Sequence, residues 1–154
     1  MAPLAAEEIM ALLATAATDA PAASPAPFAI PKGEPADEET SAAVTDTLRQ
    51  VFACANAGDP LRFSALYTDD FIRAFYAGGS PEQVLAFLSA PPQPLPIAER
   101  RAIIEIGEGQ LLPDGRAGVI IVLDEPADPR TEEPDYAMLE QVDGRWLVDE
   151  IHEG

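Results

Sequence analysis

A single cysteine, Cys54, excludes an internal disulfide and a cysteine cage for a metal. A single histidine, His152, has no second histidine for an H-E-x-x-H zinc pair and no serine–carboxylate partners in a triad arrangement, so its expected state is a solvent-exposed residue near the chain end. Positive charge is scarce. Nine basic residues stand against 27 acidic ones, the formal net charge is −18, the sequence pI is about 4.1, and no four or five cations cluster anywhere. Phosphate recognition needs clustered cations, so anionic membrane is a poor partner and no nucleic acid is expected as one. No stretch approaches the ~20 consecutive apolar residues of a membrane span. Gly78-Gly79 belongs to neither G-x-G-x-x-G nor a Walker sequence, and no haem or pyridoxal ligand set is recognisable, so no cofactor is expected.

With 154 residues, 47% of them hydrophobic, the chain has material for one domain and one core. Much of the apolar content is alanine, and the large side chains concentrate after about residue 40. The acids read as a solvated surface that keeps the protein soluble.

Residues 1–39 read as a disordered acidic Ala/Pro-rich tail or linker, with six prolines and seven acids against one base, Lys32. Ala5 to Ala17 has helical spacing in Ile9, Leu12, Leu13 and Ala16, a helix that would be marginal alone. It lacks the basic start of a signal peptide. Prolines 21, 25, 27, 31 and 35 favour a stiff extended spacer of the kind that separates an exported domain from its anchor or signal. The expectation is therefore an extracytoplasmic or secreted protein, with a cytoplasmic one carrying an ordinary tail as the alternative.

From residue 40 to 154 one domain is expected. Val44, Leu48, Val51, Phe52 and Ala55 lie on one face of a helix over Asp37–Ala57, with acids at its N-terminus and Gly58 available as a left-handed cap. Cys54 fits that pattern as a small buried hydrophobe. Asp59-Pro60 pairs a favoured N-cap with a favoured first helical residue, opening a second helix through Leu61, Phe63, Leu66 and Tyr67. Thr68-Asp69-Asp70 caps a further turn through Phe71, Ile72 and Phe75. Ser80-Pro81-Glu82-Gln83 is a capping box opening a third helix, which Pro91, Pro92, Pro94 and Pro96 end. The period then changes to that of strands. Arg101–Leu111 and Arg116–Asp124 flank the turn Leu112–Gly115, Val119–Leu123 reads as a run buried on both faces, and Tyr136–Val142 and Arg145–Ile151 flank the hairpin turn Asp143-Gly144. The fold class is α+β, three N-terminal helices packed on a curved antiparallel sheet.

The stretch Leu48–Asp59 with its Asn-Ala-Gly-Asp ending, then Ala65-Leu66-Tyr67-Thr68-Asp69-Asp70-Phe71, then Asp143-Gly144-Arg145-Trp146-Leu147-Val148, resembles the nuclear transport factor 2-like superfamily, which includes SnoaL-like and ketosteroid-isomerase-like proteins. The resemblance covers roughly residues 40–152. It implies a cone, helices laid across the concave face of a bent sheet with a pocket at the wide end. It also implies one of several uses of that cone, among them isomerisation, cyclisation, epoxide hydrolysis, ligand binding and dimerisation. Aligned on these landmarks, the isomerase oxyanion tyrosine falls at Val51 and its general base at Phe75, neither of which can donate a hydrogen bond or move a proton.

No catalytic or metal site is expected. Asp69 and Asp70 point about 100° apart on a helix and cap it rather than share a site, and the acids of 124–135 lack EF-hand spacing. The candidate pocket-lining residues are Tyr67, Phe71, Tyr76, Tyr136, Trp146 and Glu150. Strict alternation groups Glu150 with Trp146 and Val148, against Leu147, Asp149 and Ile151. If that first face looks into the cone, Glu150 is a carboxylate among apolar walls; with the opposite parity it is exposed. Glu105 and Glu140 carry the same choice. The expected role is a non-catalytic small-molecule-binding or protein-interaction module that takes a hydrophobic small molecule and forms a homodimer through the outer sheet face. The alternatives are a cofactor-free SnoaL-like enzyme using Glu150 or Asp149 as acid–base, and a pure dimerisation domain whose cone Phe52, Phe63, Phe71 and Trp146 fill.

Overall fold

The computed structural model describes residues 2–15, 28–126 and 133–154. Its helices begin where side chains satisfy the free backbone amides of a first turn. The Asp37 carboxylate accepts from the Thr40 amide at 2.7 Å and opens α2 (Glu38–Ala57), while Asp59 accepts from the Arg62 amide and opens α3 (Pro60–Ser64). Thr68 opens α4 (Asp69–Tyr76), and Ser80 with Gln83 forms the two-way capping box of α5 (Pro81–Ser89). Gly58 ends α2 at φ 63°, and a Cβ there would also collide with the Gln93 carbonyl.

The second helix expected from sequence is two, α3 and α4, and the break has a tertiary cause. The Leu66 carbonyl accepts from the Val148 amide, and the Thr68 amide donates to the Val148 carbonyl, both at 2.9 Å. The chain between the helices thus extends the sheet beside its last strand, which a continuing helix would forbid.

Among the described residues six strands form an open antiparallel sheet: β1 (Glu34–Pro35), β2 (Ala102–Ile106), β3 (Gln110–Leu111), β4 (Ala117–Asp124), β5 (Asp135–Val142) and β6 (Arg145–His152). Their order is β1-β3-β4-β5-β6, with β2 pairing on β4 beyond β3. The single strand expected over Arg101–Leu111 is divided at Gly107–Gly109, so that β2 and β3 bind successive parts of one β4 edge. The turn before β4 carries Gly115 at φ 90°, and the β5–β6 hairpin turns on Asp143 (φ 51°) and Gly144 (φ 78°).

The architecture is α+β, helices on one face of the sheet. Val44, Leu48, Val51 and Phe52 of α2 pack on the inward residues of the central strands, among them Val119, Ile121, Leu139, Trp146 and Val148. The β4 run is not buried on both faces: Val119, Ile121 and Leu123 are buried while Ile120 is 40% exposed. On the outer face Leu112, Tyr136 and Met138 form a small second cluster, where the Phe28 ring stacks on His152 at 3.6 Å between centroids.

Residues 6–14, assigned from sequence to the tail, form α1 (Ala6–Ala14), which packs on α4 and α5 with Ile9 fully buried. Residues 34–35, also assigned to it, form β1 on the sheet edge. The central proline-bearing part, 16–27, lies outside the described residues, as do 127–132 of the connection between β4 and β5.

Candidate functional site

Between α2, α4 and the inner sheet face lies a cavity of about 630 Å³. Its apolar wall comes from Val51 and Phe52 on α2, Ile121 and Leu123 on β4, Ile151 on β6, and the rings of Phe63, Tyr67, Phe71 and Phe75. The rings form a connected set because α4 presents Phe71 and Phe75 one turn apart. Tyr67 and Phe71 stack at 4.2 Å, Phe63 lies 4.6 Å from Tyr67, and Phe71 and Phe75 stack at 6.2 Å.

Polar groups gather on the cavity wall toward solvent: Arg101, Glu125, Glu133, Asp135, His152 and Glu153. Arg101 is placed by Asn56. The Asn56 amide donates to the Arg101 carbonyl at 2.8 Å and accepts from its amide at 2.9 Å, while the Arg101 guanidinium pairs with Glu125 at 2.9 Å. Asn56 therefore ties the end of α2 to the start of β2, a tertiary role beyond that of a helix-ending residue. The Tyr67 hydroxyl makes no hydrogen bond among the described residues although the side chain is only 5% exposed. Burial pushes its phenol well above the usual range, with Arg101 opposing, so it stays neutral.

Of the six sequence candidates, Tyr67 and Phe71 line this cavity. Tyr76 does not; its hydroxyl bonds Ser64 at 3.0 Å in the core between α3 and α4. Tyr136 lies on the outer sheet face with Met138, its buried hydroxyl without a partner among the described residues. Trp146 packs in the inner core away from the cavity wall, so of Phe52, Phe63, Phe71 and Trp146 three surround the space and none closes it.

Glu150 requires a correction. Register runs Leu139↔Val148 and then Met138↔Glu150, leaving Asp149 as the extra residue of a β-bulge. The bulge breaks alternation, so Ile151 joins Trp146 and Val148 on the inner face while Glu150 pairs with Met138 on the outer one. Glu105 and Glu140 are both solvent-exposed, and β2 carries its own register shift at Ile104.

The bulge organises a second polar group. Arg116, just before β4, donates to Asp149 at 2.9 Å, to Glu150 at 2.6 Å and to Asp114 at 2.9 Å. Asp149 also accepts from the Thr68 hydroxyl at 2.8 Å, and Glu150 bonds His152 Nε2 at 2.8 Å. Partial burial raises the Glu150 carboxyl, but hydrogen bonds from Arg116 and His152 outweigh it and hold the group below its ordinary 4.5. A depressed carboxyl contributes stability that is complete above the unfolded value and is lost as pH falls through the folded one. Glu150→Gln should therefore cost up to about 1 kcal/mol near neutrality, the side chain being two-fifths exposed. Urea unfolding at stepped pH should show the gap to the unmutated protein closing below about pH 4.5.

Among the described residues no three metal-ligating side chains come together, and no helix is long and apolar enough to cross a membrane. No family model, curated protein or solved structure matches the chain significantly.

Proposed function

We propose that this chain is a nuclear transport factor 2-like domain that binds a hydrophobic small molecule without turning it over. The observation that carries the reading is the aromatic-walled cavity of about 630 Å³, a volume within the usual range for small-molecule sites. A domain serving dimerisation alone has no use for that space, and filling it would gain packing contacts.

The polar groups favour binding over catalysis. Val51 and Phe75, where the resemblance would place an oxyanion donor and a general base, both line the cavity and offer neither function. Glu150 faces the opposite side of the sheet, and Asp149 is engaged by Thr68 and Arg116. The neutral Tyr67 hydroxyl, which makes no hydrogen bond among the described residues, is suited to orient one polar atom of a ligand.

A panel of apolar ligands tested by thermal shift checks the reading. A true ligand at a hundredfold excess over its Kd should stabilise by about 2.7 kcal/mol, or roughly 5–10 °C for a chain of this size. Ala55→Phe, which puts a ring into the cavity from α2, should abolish the shift while leaving the helical circular dichroism intact. An equal shift in the Ala55→Phe protein would place binding elsewhere and defeat the proposal, as would a panel with no binder. Turnover of any bound compound by the unmutated protein would defeat its non-catalytic part.

A further inference from the structure

We propose a second small-molecule site, for a carboxylic acid with an aliphatic tail, in the groove of about 620 Å³ between α2 and β2. The two elements run antiparallel there. At one end Asn56 grips the backbone of Arg101 through two hydrogen bonds, and at the other Gly109 lies against Ser41 while its carbonyl accepts from the Ala36 amide at 2.9 Å. Between those ends Thr45, Arg49, Phe52 and Ala53 follow one another along a single stripe of α2 that ends at Asn56, a trough about 16 Å long at 1.5 Å per helical residue. Its walls are largely apolar, with Phe52 and Ala53 on the helix and Ile103, Ile104 and Ile106 on the strand. Ile104 is 65% exposed, an aliphatic side chain that the core leaves to solvent.

The irregularity in β2 sets the charge of the groove. Ile103 pairs with Leu123 and Ile106 with Ile121, both on the side of α2, whereas Glu105 pairs with Val122 on the other face of the sheet. Strict alternation from Ile103 would bring Glu105 round to the helix side, toward Arg49; the extra residue, Ile104, sends it away. Arg49 is thereby left without a carboxylate. It makes no ion pair or hydrogen bond among the described residues, in a chain with 27 acids and nine bases. The Thr45 hydroxyl, one turn earlier on the same stripe, has no partner among the described residues either. A guanidinium and a hydroxyl one turn apart suit a carboxylate, which accepts a charge-assisted bond from the first and a further hydrogen bond from the second. An ammonium would meet Arg49 as a like charge. The net charge of −18 opposes anions at long range, but exposed charges farther than about 10 Å are largely screened at 0.1 M salt, and Arg49 is the charge in contact. β2 has a sheet neighbour on one side only, and its bulge spoils the free edge for a further strand, so a free acid fits the groove better than an extended peptide.

Backbone-amide magnetic resonance of the full chain, titrated with octanoate and separately with octan-1-ol, tests the site. Octanoate should shift the amides of residues 45–56 and 103–106 and bind about three- to tenfold more tightly than the alcohol, the effect of one exposed charge-assisted contact. Phe52 borders both this groove and the aromatic-walled cavity, so the pattern of the shifts identifies the site. Arg49→Gln, at an exposed helix position, should erase the ratio of acid to alcohol while the spectrum stays that of the folded protein. Arg49→Lys, which keeps the charge and loses the planar fork, should restore part of it. Ala53→Trp, which fills the trough, should weaken both probes. An alcohol that binds as tightly as octanoate, an Arg49→Gln protein that keeps the full ratio, or a groove that responds to neither probe overturns the proposal. Octanoate shifts confined to the other cavity, at Tyr67, Phe71 and Phe75, overturn it as well and leave the reading of that cavity as a binding site standing.

Discussion

Replacing Arg116 by methionine should lower stability by about 2–3 kcal/mol, a fall of roughly 5–10 °C in melting temperature. The substitution removes the arginine that, among the described residues, pairs with all three of Asp114, Asp149 and Glu150. Asp149 suffers most, because its side chain is 16% exposed and its Oδ2 is left without its partner while the Thr68 hydroxyl still holds Oδ1. Uncompensated partly buried charge, rather than lost attraction, is the larger part of the cost. The triple variant Arg116→Met, Asp149→Asn, Glu150→Gln should therefore recover much of the loss despite having fewer ion pairs. Urea midpoints of the single and triple variants decide the matter, and an equally unstable triple variant would mean that the arginine acts by packing instead.

Ile9→Ala should cost about 2–4 kcal/mol, the ordinary penalty for truncating a buried isoleucine, and lower the melting temperature by roughly 6–12 °C. Ile9 is fully buried where α1 crosses α4 and α5, and Leu4, Met10, Leu12 and Leu13 pack around the same core. Were the first 39 residues only a solvated tail, the substitution would change stability by no more than about 0.5 kcal/mol. Thermal unfolding of the single variant distinguishes the two.

Local chemistry made the helices readable. Asp37, Asp59, Thr68 and Ser80 each accept the backbone hydrogen bond that their residue type favours at a helix start, and Gly58 and Gly144 take positive φ where a cap and a hairpin demand it. These signals act within four residues and need no knowledge of the rest of the chain. What was not readable depended on distant partners. Nothing in Ala6–Ala14 reveals that its apolar side has a seat on α4 and α5, because a helix of nine residues is marginal until something packs against it. Asn56 reads as a helix-ending residue, and its grip on Arg101 spans 45 positions in sequence.

The cavity was half legible. Tyr67 and Phe71 follow from aromatic spacing at α4, but Phe63 and Phe75 complete the wall only once α3 and α4 separate at the point where the chain joins the sheet. Glu150 was misplaced for a different reason: period-two alternation holds only while the two strands advance in step, and Asp149 makes one of them advance further.

That extra residue also decides what kinds of sequence variation the cavity wall tolerates. Substitutions along β6 exchange one side chain for another on a fixed face. Loss of the single residue Asp149 would restore strict alternation, Val148 opposite Leu139 and Glu150 opposite Met138, and leave every later side chain of the strand on the face it already occupies. Glu150 would stay on the outer side and Ile151 on the cavity wall, while Thr68 and Arg116 would lose the carboxylate that joins them. A deletion of one codon at this position would thus spare the cavity lining and fall on the polar cluster alone.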